Sequence, residues 1–328
     1  TIIVIEYKEE YLDEIIKQLK SIAPETLLFL NSVKEITFKG FDEINDIAAT
    51  SKKLNNNKEF GPFEEIVINK KTWTIFKDSG EIKDSEKSVK KEQDFYEIKL
   101  AIADELTKEK NPLYSYFPTN TTLYFPYIIH GTFDLDQTRN HLNLTKKNEK
   151  IIGHLVELIV KVSIYLSNRE INWLPLKLLN YNRYEKIVRL DELGFYDNLE
   201  EAINSLEVFP CLDGTYKKKQ DVVYFNSGFS NFIETNKFNS FYPNMLICED
   251  EDLSISDFKI ENEFDGEEKV LNNLSKSIKD ITVRAVFIEL ISRTYSEVEA
   301  DLLLNVEGEL IKSDNLIYTP PKSEIKIP

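Results

Sequence analysis

The chain has 328 residues, 41% of them hydrophobic and 12% aromatic, with a formal net charge of −16. A chain of this length can bury roughly 75% of its unfolded surface, so a packed core is expected, with disorder only locally. The charge disfavours nucleic-acid partners, and no apolar run approaches the ~18 residues of a membrane span.

No stretch reads as a secretory leader. The two cysteines, Cys211 and Cys248, are too few for a disulfide framework, which points to a reducing, cytoplasmic setting. The first residues are "TIIVIEY" and the last "SEIKIP". A strand beginning at Thr1 without methionine leads to the expectation that more chain precedes it, and that more comes after Pro328.

Residues 2–7 are β-branched and aromatic, which predicts a strand. Residues 9–22 place Tyr11, Leu12, Ile15, Ile16, Leu19 and Ile22 at helical spacing. Pro24 then opens a short helix, "PETLLFLN", and "KEITF" reads as a strand. "TSKKLNNNKEFG" is polar and predicts a loop, and "EEIVINKKTWTIFKD" predicts two strands in a hairpin. The mixed-charge run "DSGEIKDSEKSVKKEQD" has little to bury and reads as a solvated loop. In "FYEIKLAIADEL", Tyr96, Ile98, Leu100 and Ile102 alternate as in a half-buried strand. "LYSYFP" and "YFPYIIHGTFDL" predict two more strands with a turn at "TNTT".

Residues 148–167 predict a long helix. Ile151, Ile152, Leu155, Leu158, Ile159, Val162 and Leu166 would pack back on the sheet. "DNLEEAINSLEV" reads as a helix capped by Asp197 or Asn198. Two hairpins are expected at Asp213 and Gly214 and at Glu307 and Gly308, because glycine tolerates positive φ. Between them, residues 249–268 carry ten acidic residues against one lysine and read as an exposed loop. Residues 269–293 predict one helix burying Leu271, Leu274, Ile278, Ile281, Ala285 and Ile288.

Enzyme signatures are scarce. His130, His141 and His154 fall on a strand, a loop and a helix, without metal-ligand spacing. Cys211 reads as core rather than nucleophile. With ten glycines and no GxG pair, neither a P-loop nor a Rossmann fingerprint exists. Lys217, Lys218 and Lys219 read as a solvated hairpin tip. Lys146, Lys147 and Lys150 read either as a charged helix start or as part of an anion site beside Arg139.

Three stretches carry a resemblance. "TIIVIEYKEEYLDEIIKQLKSIAPETLLFLNSVKEITF" resembles the exit from the Bergerat-type (GHKL) ATPase domain and the region after that domain in sacsin and NO VEIN proteins. "LYSYFPTNTTLYFPYIIHGTFDLDQTRNHLN" resembles the sacsin-type order of "FPT", an apolar strand and "F.L...R..L". The hairpins "FPCLDGTY" and "LLLNVEGELI" are similar to hairpins of the same proteins. "TRNHLN" resembles the segment with which ninety-kilodalton heat-shock chaperones touch the terminal phosphate of ATP held by the preceding domain. Arg139 matches the arginine, Thr138 its serine neighbour, and Asn143 stands where those chaperones have glutamine.

The resemblance implies an α+β fold. Residues 1–60 would end an ATPase domain with connecting helices. Residues 61–170 would form a transducer-like mixed sheet backed by helices. Residues 171–328 would form a distal α+β module with Asp/Glu-Gly hairpins. It implies a transducer region of an ATP-driven, chaperone-like switch, compatible with a bacterial defence or stress role. ATP and Mg would be held by the full-length protein and not by this chain alone. The implied site residues are Arg139 and Asn143 at the phosphate, with Thr138 and Lys146 beside them. The implied partners are the preceding ATPase domain, a protein client and a second copy as homodimer; membranes and nucleic acids are not expected. A competing reading is a non-enzymatic protein-binding scaffold that docks through the acidic 249–268 segment.

Overall fold

The structure, a computed structural model, describes residues 8–30, 33–39, 44–57, 61–83, 95–104, 106, 108–224, 229–247, 253, 255–260, 268–294, 300–305 and 307–312. The strand expected at 2–7 lies outside them, as do most of the acidic 249–268 segment and Cys248. The chain is α+β and divides into two compact units. The first contains residues 1–170 and 174–205, the second 171–173 and 206–328.

The first unit is built on one mixed sheet. A 3-10 turn, Glu9–Tyr11, leads into α1 (Leu12–Lys20), whose Leu12, Ile15, Ile16 and Leu19 are half-buried. The short helix expected from Pro24 is a 3-10 helix, Pro24–Leu28, and the segment buries Leu27, Leu28 and Phe29. Eight strands come next: β1 (Glu35–Ile36), β2 (Ile47–Asn57), β3 (Gly61–Ile68), β4 (Lys71–Glu81), β5 (Phe95–Ala103), β6 (Glu109–Ser115), β7 (Phe117–Phe125) and β8 (Tyr127–Gly131). Their spatial order is β1-β2-β3-β4-β5-β8-β6-β7. Neighbours are antiparallel except β6 and β8, which run parallel and register at Tyr114 and His130.

Several boundaries differ from expectation for identifiable reasons. "TSKKLNNNKEFG" is mostly strand β2, not loop, because its backbone pairs with β3 from Ala49 to Asn57. A ladder needs backbone amides, and polar side chains do not forbid it. The β3–β4 hairpin turns on Asn69 and Lys70, both at positive φ (47° and 72°), the geometry that matches strand twist. The charged run from Asp78 begins as strand: β4 continues to Glu81, and residues 84–94 lie outside the described chain. "TNTT" is not a turn. It lies within β7, where Thr119 and Thr121 are buried; the chain instead turns at Tyr116 and breaks at Pro126.

Strand β5 is buried on both sides rather than half-buried. Ala101 and Ala103 join Leu27, Phe29, Ile66, Ile68 and Trp73 in one core. On the other face Tyr96 stacks on His154 of α2 (Lys146–Ser167), ring centroids 4.5 Å apart. All seven aliphatic residues expected on the buried side of this helix are buried. Each contributes roughly 1.5–3 kcal/mol relative to exposure. Helices α3 (Leu174–Leu179), α4 (Val188–Glu192) and α5 (Phe195–Ser205) complete the unit. Helix α5 starts ahead of Asp197 and Asn198, so neither caps it; the Asn198 N–H already donates to the Gly194 carbonyl.

In the second unit, β9 (Phe209–Pro210) and β10 (Tyr216–Lys217) flank the Asp213 turn, with Gly214 at φ 79°. Helix α6 (Phe229–Thr235) packs Phe229 and Phe232 against Phe287. The single helix expected at 269–293 is two: α7 (Glu268–Ser277) and α8 (Ile281–Thr294). Asp280 caps the second by accepting from the Thr282 and Val283 N–H groups. The buried guanidinium of Arg284 donates to the carbonyls of Ser275 and Ile278, satisfying the open end of the first. The break rotates the buried face, so Ile281 and Ala285 are exposed, and Phe287 and Ile291 are buried instead. The hairpin of β11 (Asp301–Leu304) and β12 (Leu310–Lys312) turns on Gly308 at φ 81°.

Candidate functional site

The polar run after β8 is a stiff loop. At its root Gly131 lies close under the Phe133 ring: a Cβ there would meet the ring at 2.5 Å and force it to shift. The neck is closed by Asn148, a fully buried residue of α2. Its Oδ1 accepts from the Asp134 N–H (2.9 Å), and its Nδ2 donates to the carbonyls of Asp134 (2.7 Å) and Asn143 (2.8 Å). Asp134 in turn holds the buried Lys147 ammonium at 2.7 Å. Thr145 caps α2 by accepting the Asn148 N–H, so helix start and loop neck are one hydrogen-bonded piece.

Above the neck, Leu135 pairs with Leu142 in an isolated bridge, and the chain reverses over residues 136–139. Asp136 is the hub. Its Oδ1 accepts from the Asn140 N–H (2.9 Å), the Thr138 hydroxyl (2.8 Å) and, more weakly, the His141 N–H (3.4 Å). These donors, the Asn140 amide foremost, hold the Asp136 carboxyl below the usual carboxylate range. The Asn120 N–H of β7 donates to the Asn140 carbonyl at 3.1 Å, which ties the loop to the sheet.

Arg139 stands at the reversal with φ 59°, in the left-handed region. A long side chain there is uncommon and carries strain of about 1–2 kcal/mol. Its side chain is exposed, and among the described residues its guanidinium has no hydrogen bond or ion pair.

The other expected site residues are placed differently. The Thr138 hydroxyl is turned onto Asp136, and the Asn143 amide donates to the Leu135 carbonyl at 2.8 Å. Both therefore brace the loop that presents Arg139. Lys146 is exposed in the first turn of α2. Asp136, Asn148 and the Asp134–Lys147 pair were missed in the sequence. The signals were "DQT", an aspartate two residues before a threonine, and "TKKN", a cap with a polar residue three positions on.

Beneath the loop, His130 is fully buried on β8. Its ring stacks on Phe29 (centroids 5.1 Å) and meets the edge of Tyr116. Neither ring nitrogen has a hydrogen-bond partner among the described residues. Burial first, and then neighbouring Lys99, push its pKa down to about 3, so the imidazole is neutral. Cys211 is a buried free thiol whose pKa burial pushes up to about 12, which leaves it unreactive. Among the described residues no group of three or more His, Cys, Asp or Glu side chains is placed to hold a metal ion, and no helix is long and apolar enough to cross a membrane.

No family model matches the chain, and neither a curated protein nor a solved structure matches it.

Proposed function

We propose that this chain is the transducer region of an ATP-driven, chaperone-like switch, working in a reducing cytosol, whose nucleotide is held by a preceding domain. Arg139 is the group that meets the phosphates when the two domains close. One observation carries the reading: a guanidinium unpaired among the described residues, held at positive φ on a loop braced from both the sheet and a helix start. A guanidinium keeps its charge and offers five donors in a fixed fork. A charge-assisted bond from it is worth roughly 1.5–3 kcal/mol, and an arginine supplied from outside a phosphoryl-transfer site can be worth ~10³–10⁵ in rate. Because the contact exists only in the closed arrangement, ATP shifts the open–closed equilibrium through it. Thr138 and Asn143 act by holding the loop, and Lys146 adds positive charge beside it.

The test is ATP turnover by the full-length protein. Arg139→Ala should lower hydrolysis at least ~tenfold, with Arg139→Lys intermediate because a point charge replaces the fork. Unchanged turnover in Arg139→Ala removes the mechanism. Calorimetric titration of this chain alone with ATP should show no binding.

A further inference from the structure

The eight-stranded sheet ends at β7, and among the described residues no strand pairs with its outer side. The loop at 134–143 takes the Asn120 N–H of this edge. Farther along, the edge borders a groove of about 340 Å³. The strand gives it four consecutive residues, Thr122, Leu123, Tyr124 and Phe125. Consecutive strand residues face opposite sides of a sheet. The space touches all four, and Lys110 of β6 paired with Tyr124, so it reaches both faces at the end of the β6–β7 hairpin, where Thr122 and Tyr124 are exposed and Leu123 and Phe125 are buried.

The facing wall is made by Tyr181, Ile187 and Tyr196. The two tyrosine rings are fixed: the Tyr181 hydroxyl donates to Glu200 (3.0 Å), and the Tyr196 oxygen accepts the Ile187 N–H (3.1 Å). Nearby charges are already committed, Glu200 to Arg183 and Asp191 to Lys186, each at 3.0 Å. Two lining charges are not. Lys110 and Glu185 have no ion pair among the described residues. Exposed apolar residues gather on the same segments: Tyr124 lines the groove at 45% exposure, Tyr184 is 96% exposed, and Val188, next to Ile187, is 69% exposed. Solvent-facing tyrosine and aliphatic groups beside an open edge mark a surface meant to be covered.

We propose that this groove binds an extended peptide segment of a protein partner, added alongside β7 as a further strand. The segment seats one aliphatic or aromatic side chain against Tyr181, Ile187 and Tyr196. It carries a basic side chain toward Glu185 and an acidic one toward Lys110. Strand addition gives affinity through backbone bonds and specificity through alternate side chains. The groove is at the small end of the ~300–1,000 Å³ of small-molecule pockets and adjoins the last strand of the sheet, which favours a chain over a compact metabolite. This surface does not depend on the nucleotide reading.

The test is panning a display library of random dodecapeptides on the whole chain, then measuring the enriched peptides by fluorescence anisotropy. Enriched sequences should share an apolar anchor with flanking opposite charges. Tyr124→Pro, which removes an edge donor, and Ile187→Glu, which charges the wall, should each weaken binding at least ~tenfold. Glu185→Lys changes an exposed side chain, so it tests the groove without burdening the fold; it should reverse the preferred flanking charge. Peptides that bind all three variants as they bind the parent overturn the proposal. So does an absence of enriched peptides, or a small molecule retained in the groove by native mass spectrometry.

Discussion

Two turns in this molecule use the same device with opposite results. At Asp213 and at Asp136 a carboxylate accepts a backbone N–H and a threonine hydroxyl and fixes a chain reversal. In the Asp213 turn the positive φ falls on Gly214, and the next cation along, Lys217, is held by the same carboxylate at 2.8 Å. In the loop at 134–143 the positive φ falls on Arg139, and that cation is left out of the network. The Asp213 hairpin carries no such strain and neutralises its own charge. The Arg139 loop keeps a strained residue and leaves the charge available. The difference separates a turn that engages its own cation from one that leaves its cation outside the network.

The largest test of that comparison lies at the neck. Asn148→Ala removes three hydrogen bonds at the neck and takes from the Asp134 N–H its partner, while the Asp134 and Asn143 carbonyls keep the N–H groups of Asn143 and Thr145; it should cost about 3 kcal/mol in urea unfolding of the first unit. A cost under ~1 kcal/mol would mean the loop is not braced. Acid should separate the two units next. All three histidines lie in the first unit. His130 has a folded pKa of about 3 against an ordinary 6.5, so the unfolded chain takes the proton first. Its contribution is intact above the ordinary value and is lost as pH falls toward the folded one. From about pH 7 to about pH 5 the first unit should lose about 2 kcal/mol. Hydrogen exchange should show β5 and β8 losing protection while α7 and α8 keep theirs. His130→Phe should remove that dependence. The smallest effect addresses the turns directly. Arg139→Gly should stabilise by a few tenths of a kcal/mol, since relief of about 1–2 kcal/mol is offset by glycine's chain entropy. Gly214→Ala should destabilise by about 1 kcal/mol. Equal signs in thermal melts would erase the contrast.

The parts legible in the sequence were those where side chains alone decide. The apolar spacing of α2 and the Asp213 and Gly214 turn needed no partner to be read. Strand β2 was not legible, because lysines and asparagines gave no sign that a neighbouring strand would claim their backbone. The break between α7 and α8 was hidden because apolar residues continue across it, and it depends on Arg284 reaching back to the carbonyls of Ser275 and Ile278. At the candidate site, Arg139 stood out as a cation in a polar interruption. That Thr138 and Asn143 face inward depended on Asp136 and Asn148, whose roles emerge only once β8 and α2 meet.

The junction between β6 and β8 has a mechanical consequence. The outer hairpin joins the rest of the sheet through a ladder registered at one residue pair, whereas β4 and β5 register over nine. Such a seam is held more by the burial of Leu113 and Tyr114 than by ladder bonds, unlike the long one. The Asn120 amide moors the arginine loop to that hairpin, so the loop spans the seam, tied to the outer hairpin on one side and through Asn148 to α2 on the other.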